Sequence, residues 1–406
     1  MKNWKTQFLI IYLGQAFSLI GSAAVQFSVI WWLTDTTESA LTLTLATIVA
    51  FVPYMIVGPF AGAWVDRYNR KRVIMLADGF VALSSVALGL MFLLMSSPPI
   101  WAIYLILFLR GLGNTFHSPA MSATIPMLVP PEMLTKAGGW SHLVTSGANM
   151  LGPVLGAAMM AVLPVASIML VDIGGAVIAI ICLLFVRVPN VKQEKKLELL
   201  GDIKQGFSVL LQNKPLMSMA IPFMMLNIIF APLGALFPLM VKTHFMGNAW
   251  HNSVVELSFA AGMLISSLVI GIWGGMRRRF LMAALSIVAL GVFTMSSGLM
   301  PPAAFWGFVI LSFFTGAMPT FMSVPVMAYI QETTPTEMMG KVMSLMSTAM
   351  VVATPIGLLV AGPMSELVGV GAWFVWSGLA LVLTGVAGRL ASRRYDTETL
   401  RPEVQG

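Results

Sequence analysis

From Leu41 to Met95 the chain reads LTLTLATIVAFVPYMIVGPFAGAWVDRYNRKRVIMLADGFVALSSVALGLMFLLM. Two apolar runs, 41–65 and 72–95, flank a short turn that gathers Asp66, Arg67, Arg70, Lys71 and Arg72. Each run exceeds the about 20 residues that a helix needs to cross a bilayer. A hairpin with arms as long as a membrane is thick, and with nearly all its charge at the tip, reads as two transmembrane helices joined on one side.

The pattern continues in both directions. Apolar runs fall near 8–33, 41–65, 72–95, 99–124, 138–163, 165–187, 215–241, 253–276, 279–300, 303–328, 340–364 and 369–391. The whole chain is 58% hydrophobic and 10% charged, where a soluble domain has about 25% charged residues. No soluble core hides that much apolar surface. The runs are too long and too uniformly apolar for barrel strands, and an open sheet in lipid would leave backbone groups unpaired. The expected fold is an all-α membrane protein of twelve transmembrane helices.

An even number of spans puts both termini on one side. Placing that side in the cytoplasm accounts for all but Arg110 and Lys242 of the 23 lysines and arginines, as the positive-inside rule requires. The net charge of +7 is therefore a topology signal. A nucleic-acid-binding protein would gather its charge on one folded face, so nucleic acid is not an expected partner. The N-terminal MKNWKTQF leads into a full-length span and reads as a retained first helix, not a cleaved leader. A single cysteine, Cys182, lies in the sixth run and builds no disulfide framework, and His117, His142, His244 and His251 lack the spacing of a metal site.

The longest polar stretch divides the spans six and six. The expected domains are a bundle at 1–187, a cytoplasmic linker at 188–214, a second bundle at 215–391 and a tail at 392–406. Leu197, Leu200, Ile203, Phe207 and Leu210 give the linker an amphipathic helical face. The halves also resemble each other. PPEMLTKAGGW from Pro130 precedes the fifth run and PTEMMGKVMSL from Pro335 precedes the eleventh, and Gly152-Pro153 answers Thr354-Pro355. Parallel repeats of this kind are common in transporters.

The turn GAWVDRYNRKR, from Gly62 to Arg72, resembles the signature Gly-x-Leu-x-Asp-Arg-x-Gly-Arg-Lys of the major facilitator superfamily. Gly62, Asp66, Arg67, Arg70 and Lys71 match it. Trp64 stands for the leucine, and Asn69 stands for the second glycine as the residue that best tolerates a left-handed backbone. Gly62 is expected to let helices approach closely, and Asp66 to anchor helix ends through charge-assisted bonds. The resemblance implies two pseudo-symmetric six-helix bundles and a gating latch at this turn. The corresponding second-half stretch GIWGGMRRR, from Gly271, keeps glycine and positive charge without an aspartate, so the latch is expected to be asymmetric.

Arg110, in RGLGNTFHSPA, lies well inside the fourth run, where charge is expensive and marks function. Asn114 and His117 follow at i+4 and i+7. The superfamily has an arginine here that is linked to coupling. GANMLGPVLGAAM, from Gly147, resembles the antiporter motif of the family's exporters at Gly147, Gly152, Pro153 and Gly156, with Leu143 and Ala157 departing from it. A packing role alone would use the same glycines. Gln15, Ser18, Ser22 and Gln26 form one polar face of the first helix. In this fold the first, fourth, seventh and tenth helices line a central cavity. That implies a substrate wall of Gln15, Ser18, Ser22, Gln26, Asn114, His117, Asn227, Phe313 and Met322. The 32 methionines suit a surface that repacks around different ligands, and equally ordinary lipid-facing helix.

No phosphate-binding G-x-x-x-x-G-K-[ST] motif occurs, so no cofactor is expected and transport would draw on a gradient, or on none. Arg110, Asp78, Asp172 and Glu256 are the coupling candidates, with Glu366 a further acid at the end of the eleventh run. Segments such as WKTQFLIIYLGQAFSLIGSA, ELSFAAGMLI and GALFPLM are similar to the bacterial macrolide-efflux branch over nearly the whole chain. That similarity implies a non-enzymatic, monomeric exporter of small amphipathic drugs in exchange for protons, embedded in the lipid of a bacterial inner or plasma membrane. Transport of a specific metabolite or siderophore is the alternative, and a non-transporting membrane receptor or scaffold the remote one. If the turn after the second run is a latch, Asp66→Asn should lower transport roughly tenfold, the loss of one charge-assisted bond. Undiminished drug flux in whole cells would remove the latch.

Overall fold

The computed structural model describes residues 4–95, 97–130, 133–186, 214–276, 278–333 and 353–395. The first six runs are carried by α1 (Trp4–Thr37), α2 (Ala40–Ile56), α3 (Gly58–Arg67), α4 (Arg70–Leu94), α5 (Ile100–Leu128), α6 (Leu134–Met160) and α7 (Val165–Phe185). The other six are carried by α8 (Lys214–Leu239), α9 (Ala249–Trp273), α10 (Arg279–Leu299), α11 (Phe305–Thr333), α12 (Ala353–Val368) and α13 (Val370–Ser392). Among the described residues there is no strand.

Nine described helices are long and apolar enough to cross a membrane on their own. The remaining runs have local reasons for falling short. The 29-residue α5 is depressed in hydropathy by Arg110, Asn114 and His117. The second run is split at Val57, immediately before Gly58-Pro59, because Pro59 in the first turn of α3 has no N–H to donate to the preceding turn. α12 is the part of the eleventh run that lies within the described residues. The side chains of Leu94 and Ile272 are 78% and 90% exposed, a surface that lipid tolerates and water does not.

Chain ends and turns carry the expected capping chemistry. Asn69 Oδ1 accepts the Arg72 amide at 3.2 Å and so caps α4. Its backbone is extended, with φ −67° and ψ 109°, which corrects the left-handed expectation: this position starts a helix, and an N-cap residue takes the β region. Asn248 caps α9 by accepting from Trp250 and His251 amides at 3.1 and 3.2 Å, and Gly274 ends that helix at φ +75°. α8 runs through Pro222, Pro232 and Pro238 and closes in a π turn at Met240–His244.

By contacts the chain separates into two units, one within Met1–Thr37 and Ala46–Leu197 and the other within Glu38–Leu45 and Glu198–Gly406. The expected linker at 188–214 lies outside the described residues except for Lys214, and so does the tail after Tyr395. In the first unit α1 packs on α7, α4 on α5 and α7, and α3 on α5. In the second α8 packs on α13, α10 on α11 and α13, and α9 on α11. Each unit therefore pairs its first span with its sixth, its third with its fourth and sixth, and its second with its fourth. In the second unit Ser39 Oγ and, at 3.1 Å, the Leu41 amide donate to the Glu366 carboxylate.

Small residues make these pairings close. Lipid offers helices no hydrophobic incentive to associate, so contact rests on packing. A Cβ on Gly262 would lie 2.0 Å from Phe313 O, and one on Gly316 would lie 2.1 Å from Phe259 O. α9 and α11 thus touch backbone to backbone. The interiors are apolar: Phe8, Ile11, Val65, Ile74 and Leu183 in the first unit, and Phe223, Phe280, Leu290 and Leu381 in the second. Gly316→Ala should cost about 1–3 kcal/mol of stability, as overpacking does, whereas Gly234→Ala, where a Cβ would meet nothing within 4 Å, should cost nothing. Thermal unfolding of the purified variants, followed by intrinsic fluorescence, checks the difference.

Candidate functional site

Arg110 sits in α5 between small neighbours. A Cβ on Gly111 would lie 2.3 Å from Ala50 O of α2, and one on Gly113 would lie 2.7 Å from Val81 Cγ2 of α4. α5 is thereby pressed between two helices and its arginine is 4% exposed. A guanidinium cannot shed its charge, so a partner is required. Asp172 of α7 supplies it, with Nη1 and Oδ2 2.5 Å apart. Ser22 Oγ donates to Asp172 Oδ1 and Ser85 Oγ to Oδ2, both at 2.5 Å. Arg110 Nη1 also donates to Ser85 Oγ. The approach of α1 to α7 that allows this comes from Gly21, whose Cβ would meet Asp172 Cα at 3.1 Å, and Gly175, whose Cβ would meet Phe17 O at 2.7 Å.

Two helical turns away a second polar layer repeats the pattern on three of the same helices. Gln15 precedes Ser22 by seven residues, Asp78 precedes Ser85 by seven, and His117 follows Arg110 by seven, a separation of about 10 Å along a helix. Gln15 Nε2 donates to Asp78 Oδ2 at 3.0 Å. His117 Nε2 lies 3.0 Å from Gln15 Oε1 and 3.3 Å from Asp78 Oδ1. Neither layer's pairing was evident from sequence. The available signal was that buried intramembrane charges pair within reach, and that opposite charges stand on the fourth run and on its neighbours.

These contacts correct the reading of the first helix. Gln15 and Ser22 are turned to partners inside their own unit, and Ser18 is buried where Gly175 packs; a buried hydrogen-bonding group takes the nearest partner available. His117 likewise belongs to a polar layer. Asp172, one of the coupling candidates, is fully buried. Gln26 and Asn114 are half-buried. Asn227 Nδ2 donates to Phe223 O of its own helix at 2.8 Å. Phe313 is half-buried and stacks edge-on with Phe314 at 5.4 Å. Met322 is 1% exposed and packs within the apolar core of the second unit. Glu256 accepts from Asn252 Nδ2 at 2.8 Å, one turn earlier on α9.

The basic turn works largely through helix ends. Lys71 Nζ donates to Leu184 O at 3.1 Å and Val186 O at 2.8 Å, placing a cation on the negative C-terminus of α7. Arg70 Nη1 reaches Ala123 O of α5 at 3.3 Å and Met127 Sδ at 2.7 Å, and Arg67 is exposed. Asp66 belongs to α3, and its side chain lies outside what is described. A Cβ on Gly62 would meet no described atom within 4 Å, so Gly62 does not serve the close approach expected of it here. Beside this turn α3, α4 and α5 border a cavity of about 570 Å³ lined by Trp64, Tyr68, Arg72, Phe80 and Phe116, which sequence did not single out. In the second half Arg279 forms a two-pronged pair with Glu332, at 2.5 and 2.7 Å, and this holds the Glu332 carboxyl below the usual range.

The antiporter-like segment packs on α1. A Cβ on Gly152 would lie 2.3 Å from Ala23 Cβ, and one on Gly156 would lie 2.8 Å from Phe27 Cδ1. Pro153 stands in the interior of α6. A Cβ on Gly147 would meet nothing within 4 Å among the described residues.

A polytopic helical bundle with paired intramembrane charges, and with its packing pattern repeated in two units, has the construction of a membrane transporter. Residues 11–254 match the Major Facilitator Superfamily, and the chain belongs to that family. It is 36% identical over 387 residues to macrolide efflux protein A of Streptococcus pyogenes, covering 95% of each chain. It is 28% identical over 363 residues to the enterobactin exporter EntS of Shigella boydii, covering 87% of this chain and 82% of that one. Its fold matches the crystal structure of a bacterial homologue of the iron transporter ferroportin in the inward-facing state, with a TM-score of 0.74 and 16% identity over 95% of this chain and 98% of the other. The chain is a multi-pass membrane transporter and not an enzyme.

Removing one member of a buried ion pair leaves the other uncompensated, at a cost of about 3–5 kcal/mol. Asp172→Asn should therefore unfold at a markedly lower temperature than the wild type. Adding Arg110→Gln to it should restore part of the loss, a coupling that a double-mutant cycle of thermal midpoints reads directly.

Proposed function

We propose that this transporter is a secondary exporter of small amphipathic drugs, macrolide-like antibiotics first among them, driven by the proton gradient of a bacterial inner or plasma membrane. The observation that carries the reading is the 36% identity to a macrolide efflux protein over 95% of both chains. It is supported by the Gly152 and Gly156 contacts of the antiporter-like helix and by a set of buried ionisable groups in the first unit. Export proceeds by alternating access with both termini in the cytoplasm, and the working unit is a monomer with no resident cofactor. A siderophore is the second reading, favoured by the 28% identity to an enterobactin exporter.

The test is expression in a pump-deficient bacterium with measurement of radiolabelled erythromycin accumulation. Expression should lower accumulation severalfold, and a protonophore should abolish the difference. Unchanged accumulation of erythromycin and of a panel of cationic dyes would sink the drug-export reading. Selective loss of a catecholate siderophore from the same cells would establish the alternative.

A further inference from the structure

The two polar layers of the first unit differ in how their charges balance. In the Arg110 layer one permanent cation faces one carboxylate, and the sum is zero without any proton. In the Gln15, Asp78 and His117 layer the carboxylate has only an imidazole beside it, so neutrality there requires a proton.

The hydrogen bonds say where that proton goes. Gln15 presents its amide nitrogen to Asp78 Oδ2 at 3.0 Å and its oxygen to His117 Nε2 at 3.0 Å. In this orientation the Gln15 amide donates to the Asp78 carboxylate and accepts from His117. An amide oxygen only accepts, hence Nε2 carries hydrogen, directed at Gln15 and at Asp78 Oδ1 3.3 Å away. A neutral imidazole that donates at Nε2 satisfies both neighbours and leaves Nδ1 as the position for a second proton. Imidazole is the side chain whose charge changes between pH 5 and 8. Its side chain is 13% exposed, against 1% for Asp172, so it is the more open of the two to exchange.

Among the described residues, the charged and titratable groups near this layer come from four helices and the basic turn. α4 contributes Asp78, α7 contributes Asp172, which acts electrostatically on Asp78, and α5 itself carries Arg110 two turns away. α1 brings Gln15 and, one turn earlier, the buried Tyr12. Arg70 meets α5 at Ala123, six residues beyond His117.

We propose that His117, held by Gln15 and Asp78, is the proton-binding site of the transport cycle, and that the Arg110–Asp172 pair stays closed as a fixed strut. One proton from water binds Nδ1 and converts an Asp⁻/His layer into a neutral Asp⁻/His⁺ layer; its release restores the first state. The inference rests on the proton-coupled reading above and locates its coupling site.

Two measurements separate the inference from that reading. In the first, erythromycin is added to purified protein in weakly buffered solution with a pH-sensitive dye. The wild type should release protons, and His117→Gln, which keeps an N–H donor toward Gln15 but takes no second proton, should release at least fivefold fewer. Drug affinity in that variant should also lose its dependence on pH. Release equal to wild type would overturn the proposal and leave the exporter reading standing. Should His117→Gln fail to fold, Asp78→Asn replaces it, with the same loss expected and the same overturning result. In the second, nitrogen NMR of histidine-labelled protein follows four histidines, with His117 assigned by its loss in His117→Gln. Its signals should pass between the neutral and charged forms as pH is changed from 8.5 to 5.5. A single unchanging form would overturn the proposal. If His117 charges but the wild type releases no proton on drug binding, its protonation lies outside the transport cycle and the proposal is overturned, while export itself is decided by the accumulation assay.

Discussion

A guanidinium inside a bilayer must be paired, and much of the first unit follows from that requirement. Arg110 keeps its charge at any physiological pH, and an isolated charge in a helix centre costs about 2.5–3.5 kcal/mol even on insertion scales. Asp172 meets it from α7, Ser22 and Ser85 occupy the remaining carboxylate lone pairs, and the helices bearing these groups must lie within reach of one another. Gly21, Gly111, Gly113 and Gly175 permit that approach, because a Cβ at each would collide with a neighbouring helix or press hard on it. The polar and the small residues are two halves of one arrangement: glycines set the distance, and the ion pair makes the distance worth holding.

The repeat of polar groups at seven-residue intervals is a consequence of helix geometry. Two turns bring α1, α4 and α5 back to nearly the same face, so a face that meets a partner once meets it again about 10 Å on. Ser22, Ser85 and Arg110 form one level and Gln15, Asp78 and His117 the next. Beyond His117 along α5, Arg70 and then the basic turn continue the series toward the helix ends. The first unit is therefore stratified by polarity along its helices.

How much of this was legible in the sequence depends on what kind of signal each feature leaves. Span length and hydropathy act over about twenty residues, so the helices and the division of the chain into six runs and six could be read directly. Arg110 could be flagged because a charge in an apolar run stands out. Its partner could not be chosen among Asp78, Asp172 and Glu256, since pairing depends on helix rotation, and the apolar moments of these helices are weak because lipid surrounds them. The polar face of α1 was recognised correctly as a face, but periodicity does not say whether it looks toward a cavity or toward α4, α5 and α7. Asn69 was read through a glycine it replaces, whereas its backbone serves the start of α4. Met322 was placed on the wall by its position in the tenth run, and it packs in the core among Phe223, Phe280 and Leu290, where a flexible thioether fills space well.

The two units repeat one packing scheme with unequal chemistry. In the second, the interior around Phe237 is built from rings, with Phe259, Phe308 and Phe374 at 5.9, 6.0 and 5.8 Å from it. Its best-formed ion pair, Arg279 with Glu332, stands at helix ends with the Glu332 side chain 61% exposed. A pair hydrated to that degree contributes about 0–1 kcal/mol, and a change in its protonation is balanced by water and salt. Inside the first unit no such balance is offered, and a proton gained or lost at a buried layer must be answered by its neighbours. The proposed energy-coupling role therefore fits the half that carries a buried ion pair and a second polar layer within its apolar interior. Apolar, ring-lined helices are better suited to packing and to amphipathic ligands whose recognition depends on shape.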